Sequence, residues 1–170
     1  MKKMNSFQCL MWTVFLASLK TLLPLERMKI KFKKLHPLAV TPEYKTAGAA
    51  AFDIGLIEDI KISPRSFLKV RTGLVIATPE NHVLILASRS SNPVKKGIDF
   101  ANSIGVIDSD YCGPNDELFL ILENITDEIV ELRAGDRVAQ GMFIPVTRGE
   151  FEEMDIIEST DRGGHGSTGN

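Results

Sequence analysis

Cysteine is scarce in this chain: 170 residues contain two, Cys9 and Cys112. Two cysteines cannot build a disulfide framework, no C-x-x-C pair occurs, and a reducing compartment is the expectation. The three histidines form no cluster with cysteine that suggests zinc. An excess of either charge is missing as well. The net charge is −2, which offers no field for nucleic acid or an anionic membrane as principal partner. Any anion site must therefore be built locally. A long apolar run is also absent, since the largely apolar stretch from Cys9 to Leu19 is too short for a membrane span. After Met28 no long segment has helical periodicity and no internal repeat is evident.

What is present is ordinary in bulk, with 44% hydrophobic and 25% charged residues, and the length favours one domain. Residues 1–27 differ from the rest. They open with a lysine pair, continue into the apolar run and lack a small-x-small cleavage site. The expectation is an extension without function, such as a mis-assigned start at Met1 would give, with a signal peptide or anchor as the alternative. Met28 stands directly before the first regular pattern and opens a domain expected over residues 28–160.

That pattern is β. KIKFKKL (29–35) alternates with period two, as a half-buried strand does. AFDIGLI (51–57), FLKVRTGLVIATP (67–79), HVLILAS (82–88), ELFLILENI (117–125), EIVEL (128–132) and RVAQGMFIPV (137–146) follow, separated by Gly, Pro, Asn and Asp. Short strands at close spacing predict an all-β sandwich or barrel. One short helix is expected after Asn92, within SNPVKKG (91–97), with Asn92 as cap, Pro93 at the first helical position and Gly97 as stop.

Five polar islands interrupt the strands. AGAAAFDIG (47–55) puts Asp53 inside a strand-like run. SRSSNPVKKG (88–97) combines Arg89, whose fork suits phosphate, with Ser90 and Ser91 ahead of the expected helix start, where free N–H groups favour an anion. NSIGVIDSDYCG (102–113) carries Asp108 and Asp110, which share a face if the segment is extended, and either could hold water or act as a base. RAGDRVAQG (133–141) is a turn followed by Arg137 and Gln140, whose amide can donate to a phosphate. DRGGHGSTGN (161–170) has nothing apolar, and its glycines permit close approach to an anion. Each island alone also fits a plain turn, a capped surface helix, an acidic hairpin end or a frayed terminus.

In order, AG…FDI, RSS, GVIDSDY, GDRVAQ and RGGHGSTG resemble the five-motif signature of the trimeric deoxyuridine triphosphatases (dUTPases). The resemblance covers residues 28–170. It implies an all-β, jelly-roll-like subunit with one short helix, a homotrimer with active sites at subunit interfaces, and Mg²⁺-assisted hydrolysis of dUTP to dUMP and pyrophosphate. Such an activity supplies dUMP for thymidylate synthesis and keeps uracil out of DNA, in the cytoplasm, without nucleic-acid or membrane partners. By the same resemblance, Asp108 positions the water that attacks the α-phosphorus, and Asp53 holds the magnesium shell through water. Arg89, Ser90, Ser91 and Gln140 grip the phosphate chain. Tyr111 packs on the sugar and excludes a 2′-hydroxyl, while Asn102 and the backbone at Ile104 accept uracil. Residues 161–170 form a flexible arm in which Arg162, Gly166, Ser167 and Thr168 clamp the outer phosphates.

Three positions depart from the family pattern. His165 stands where a phenylalanine usually stacks on the base. Pro114, Asn115 and Asp116 resemble an insertion ahead of Glu117, and Asn92-Pro93 replaces an apolar pair. Two other functions fit the scaffold. One is a dCTP deaminase, monofunctional or bifunctional, against which Tyr111 argues. The other is a non-catalytic nucleotide-binding trimer, against which the presence of Asp108 argues.

Overall fold

The structure, a computed structural model, describes residues 28–156 and 161. The expectations for residues 1–27 and for Arg162, His165, Gly166, Ser167 and Thr168 lie outside these described residues. Eleven strands run in chain order: β1 Phe32–Lys34, β2 Phe52–Gly55, β3 Ile60–Ile62, β4 Phe67–Arg71, β5 Leu74–Ile76, β6 His82–Ser88, β7 Ile98–Phe100, β8 Ile104–Ile107, β9 Phe119–Asn124, β10 Val130–Leu132 and β11 Arg137–Pro145. All their pairings are antiparallel. A four-stranded sheet has the order β2-β11-β6-β8 and a three-stranded sheet the order β4-β9-β7, with the pairs β1-β5 and β10-β3 beside them. This is the expected all-β, jelly-roll-like architecture.

The core comes from the inward set of each alternating strand. Leu84 and Leu86 of β6, Leu120 and Leu122 of β9, Ile54 of β2 and Leu74 of β5 are all buried. Each full burial of such a side chain stabilises by about 1.5–3 kcal/mol. Asp53, between Phe52 and Ile54, therefore points away from this core. The segment 67–79 is not one strand. Gly73 adopts φ 66°, a left-handed conformation that breaks the run into β4 and β5. Strands β3, β7 and β8 were not expected, because three- or four-residue runs containing Lys, Asp or Gly carry little period-two signal. The strand expected over 29–35 is shorter than its pattern, and every residue of β1 is exposed.

The helix after Ser91 is one wide turn, Asn92–Lys96, closed by an N–H from Gly97 to the Asn92 carbonyl. Asn92 does not cap it. The preceding position is Ser91, which makes no side-chain capping bond. Asn92 instead points inward, fully buried, and donates from Nδ2 to the Val138 carbonyl at 2.6 Å and to Ser88 Oγ at 3.1 Å. A five-residue turn is too short to build a helix macrodipole, so the anion-binding argument from a helix start does not apply. Gly97, at φ 66°, is required at the stop, since a Cβ there would come within 2.5 Å of Thr126 Cγ2.

A second buried asparagine ties the far end of the domain. Asn124 donates to the carbonyls of Ile62, Ser63 and Glu128, and its Oδ1 accepts from the Thr126 N–H and hydroxyl. Asn124→Ala leaves several buried polar groups unpaired at about 1–3 kcal/mol each. Thermal unfolding at fixed protein concentration is expected to show a loss of at least about 3 kcal/mol, at the upper end for single substitutions. A melting temperature within a degree of the parent would contradict this account.

Candidate active site

One irregularity in β11 builds the polar centre. Arg137 pairs with Gly55 and Ala139 with Ile54, so Val138 is an extra residue in the ladder. In a regular strand residues 137 and 140, three apart, lie on opposite faces. The bulge restores them to one face. Val138 and Ala139 are both fully buried, while Gln140 sits opposite Asp53 in register. The Val138 carbonyl displaced by the bulge receives the amide of Asn92.

Asp53 consequently sits between two guanidiniums. Its Oδ2 accepts from Arg137 Nη1 at 2.7 Å, and its Oδ1 is 2.9 Å from Arg89 Nε. The Asp53 side chain is only 12% exposed, where charges are less screened than at the surface. Arg89 also donates to the Arg137 carbonyl at 3.3 Å, and Gln140 donates from Nε2 to the Ser88 carbonyl at 3.0 Å. Ser90 is exposed and Ser91 half-buried beside this group. Lys96 pairs with Asp136 at 2.9 Å and ties the helical turn to the 133–137 turn. Burial pushes the Asp136 carboxyl up, but the Arg133 N–H and Lys96 outweigh it and hold the group below its ordinary value. The structure thus brings together the sequence islands containing Asp53, Arg89 and Gln140. Arg137, to which the sequence assigned no role, joins them.

The Asp108 island lies elsewhere. β8 pairs with β6 from Ile104 opposite Ala87 to Ile107 opposite Leu84. Asp108 therefore lies beyond the Leu84 position, whereas Arg89 extends from the opposite end of β6. Six residues of strand separate the two levels, about 20 Å at ~3.3 Å per residue. Asp108 and Asp110 do not share an extended face: Asp108 accepts from the Tyr111 N–H at 3.3 Å in a turn that follows β8. Asp108 is exposed. Tyr111 is 38% exposed and donates its hydroxyl to the Glu117 carbonyl at 3.0 Å. Asn102 donates from Nδ2 to the Ile104 carbonyl at 2.9 Å and closes the 101–103 turn, in which Ser103 has φ 61°. Pro114, Asn115 and Asp116 form the lengthened turn expected there, closed by Asp116 accepting from the Gly113 N–H.

Among the described residues no group of three or more His, Cys, Asp or Glu stands together to hold a metal ion. Nor is any helix among them long and apolar enough to cross a membrane. The arrangement offers two fixed guanidiniums and an amide for a polyanion at one end of β6, and a carboxylate with an aromatic face at the other.

The dUTPase family pattern matches residues 39–169, which takes in all five islands and runs into the terminal Gly-rich segment. A deoxyuridine 5′-triphosphate nucleotidohydrolase of Wolinella succinogenes is 42% identical over 147 residues, spanning 85% of this chain and 97% of that protein. The enzyme of the same name from Helicobacter pylori strain J99 is 37% identical over 84% of this chain and 97% of its own length. The crystal structure of dUTPase from Streptococcus mutans superimposes with a TM-score of 0.66 at 38% identity, covering 71% of this chain and 98% of the other. The Staphylococcus bacteriophage 80alpha dUTPase G164S mutant with dUpNHpp shares the fold at a TM-score of 0.73 and 23% identity, over 83% of this chain and 98% of that one. With motifs, fold and relatives in agreement, this chain belongs to the dUTPase family.

Proposed function

We propose that the chain hydrolyses dUTP to dUMP and pyrophosphate by water attack on the α-phosphorus, in the cytoplasm, with neither nucleic acid nor membrane as partner. The observation that carries this reading is the Arg89–Asp53–Arg137 cluster beside Gln140. It is a polyanion clamp whose donors are oriented before substrate arrives. Preorganised donors of this kind lower the barrier because they need no reorientation as charge shifts toward the leaving pyrophosphate. Ser90 and Ser91, at the mouth of the clamp, add hydroxyl donors to the phosphate chain.

Asp108 orients or deprotonates the attacking water, and its exposed position after β8 leaves it open to solvent. Tyr111 presents its ring to the sugar, where a 2′-hydroxyl finds no room. The Asn102 turn and the Ile104 backbone meet uracil. When bound with the substrate, Mg²⁺ neutralises phosphate charge and takes most of its ligands from phosphate oxygens and water. The residues fit that mode only. Asp53 is already paired with two arginines, so its part is through a water of the ion's shell and not by direct ligation.

The separation along β6 bears on the assembly. A carboxylate that directs water to the α-phosphorus and an arginine that grips the same triphosphate cannot be about 20 Å apart. A complete site therefore joins the Asp108 end of one copy to the Arg89 end of another, which supports a homotrimer with sites at its interfaces. Exposed apolar side chains, among them Phe67, Val106 and Ile129, provide surface for such contacts. The terminal segment 161–170 closes over the outer phosphates through Arg162, Gly166, Ser167 and Thr168, and His165 stacks on the base.

With Mg²⁺, pyrophosphate release is expected from dUTP and at far lower rates from dCTP, dTTP and UTP. Ammonia release from dCTP, or nucleotide binding without turnover, would replace this reading. Asp108→Asn and Arg89→Ala are each expected to cost ~10²–10⁴-fold in rate. Co-expressed, the two variants should recover up to about a quarter of the parental sites, because some interfaces then unite an intact Asp108 with an intact Arg89. No recovery in verified mixed oligomers would contradict shared sites. Truncation after Thr160 is expected to leave the oligomer assembled and to slow hydrolysis by ~10²–10³-fold. Unchanged turnover would remove residues 161–170 from the mechanism.

A further inference from the structure

We propose that Glu117 is the positioning residue for Tyr111, and through it a determinant of the choice between deoxyribose and ribose. The inference rests on the reading of Tyr111 given above and adds the residue that sets where its ring stands. The Tyr111 backbone is fixed at one end by the turn from Asp108. The far tip of the side chain is fixed by its hydroxyl, which donates to the Glu117 carbonyl at 3.0 Å. The ring between these two tethers keeps an open face.

Glu117 is itself immobilised. It is 5% exposed, and Arg71 grips both carboxylate oxygens, with Nη2 to Oε2 at 2.9 Å and Nε to Oε2 and Oε1 at 3.1 and 3.2 Å. The Gly73 N–H donates to Oε1 at 2.8 Å. Glycine is required at this position, because its φ is 66° and a Cβ there would meet Ala39 and Ile57 side chains at 3.0 Å. The pairing with Glu117 also raises the already high pKa of Arg71, first through the hydrogen bond and then through charge, so the guanidinium keeps its charge. Between Tyr111 and Glu117 the chain runs through the lengthened Gly113–Asp116 turn, which closes on itself through the Asp116 carboxylate. A longer turn has more ways to place its two ends. The tyrosine-to-carbonyl bond removes that freedom, and the Arg71–Glu117 pair anchors the bond.

The test compares kcat/KM for dUTP and UTP in the full-length enzyme. Their ratio does not depend on the fraction of protein that is folded, so a merely structural defect leaves it unmoved. Tyr111→Phe removes only the hydroxyl tether, and Glu117→Gln disrupts only the anchor. Each is expected to lower the dUTP/UTP ratio by about 2- to 10-fold, the size of one net hydrogen bond. The double variant is expected to lower it no further than the larger single effect, since both act through one bond. Tyr111→Ala lowers it more. A fall in Tyr111→Ala with parental ratios in both Tyr111→Phe and Glu117→Gln overturns the proposal, as do multiplying effects in the double variant. A parental ratio in Tyr111→Ala overturns the role of Tyr111 itself, and the proposal with it. Tyr111→Phe leaves the buried pair intact and decides the matter if Glu117→Gln fails to fold.

Discussion

The extra residue in β11 is the constraint on which the polar centre depends. Without it Arg137 and Gln140 fall on opposite faces of the strand, and one of them enters a core of leucine and isoleucine. With it, two consecutive residues, Val138 and Ala139, are buried, and both polar neighbours turn toward Asp53. A bulge leaves backbone groups without ladder partners. Here the Val138 carbonyl is met by Asn92, a side chain from the turn that follows Arg89. The same contact therefore stabilises the bulge and fixes the segment from which Arg89 reaches Asp53. A directional bond thus anchors the five-residue turn Asn92–Lys96 to the bulge.

The two ends of β6 carry different chemistry because the strand is flanked by different partners. β11 brings the bulge and its cations to the Ser88 end, and β8 carries Asp108 to the Leu84 end. On the proposed reading the site needs both ends of β6, about 20 Å apart, and association of copies supplies the end that one chain lacks while covering exposed Phe67 and Ile129. On the same reading the nucleoside end uses backbone and hydrogen-bonded turns, as with Asn102 on Ile104 and Tyr111 on Glu117, and the phosphate end uses charge. Recognition of a neutral base by shape and of a polyanion by fixed cations needs this division.

Most of the strands were legible because β-branched and aromatic runs between turn residues report burial directly, as in β6, β9 and β11. Where the sequence misled, a tertiary contact outweighed a local rule. Asn92 has the composition of a cap and serves as a buried strut. FLKVRTGLVI has the composition of one strand and is broken by the left-handed Gly73, which the Glu117 carboxylate holds through its N–H. Asp108 and Asp110 would share a face in an extended chain, but a turn begins at Asp108. The membership of Asp53, Arg89 and Gln140 in one cluster was legible only through the family resemblance. Arg137 was not assigned at all, because a bulge leaves no mark in residue spacing. The roles of Arg71 and Glu117 were equally hidden, since 46 positions separate the two along the chain.

A chain with a net charge of −2 can still hold a triphosphate because its cations are arranged before the ligand arrives. Two isolated arginines at one site repel each other and retain their side-chain freedom. The Asp53 carboxylate offsets the repulsion, restrains both guanidiniums and still leaves the group one positive charge in excess. Each guanidinium has five N–H donors in a fixed plane. Pairing with Asp53, and the single bond from Arg89 to the Arg137 carbonyl, use only some of them. The donors left over keep their direction while remaining available to phosphate oxygens. The limited exposure of Asp53 strengthens the arrangement, because water competes less for the carboxylate than at the surface. On the proposed reading Asp53 thereby contributes to phosphate binding as an acid that never needs to touch the substrate, and overall charge is a poor guide to what the site can hold.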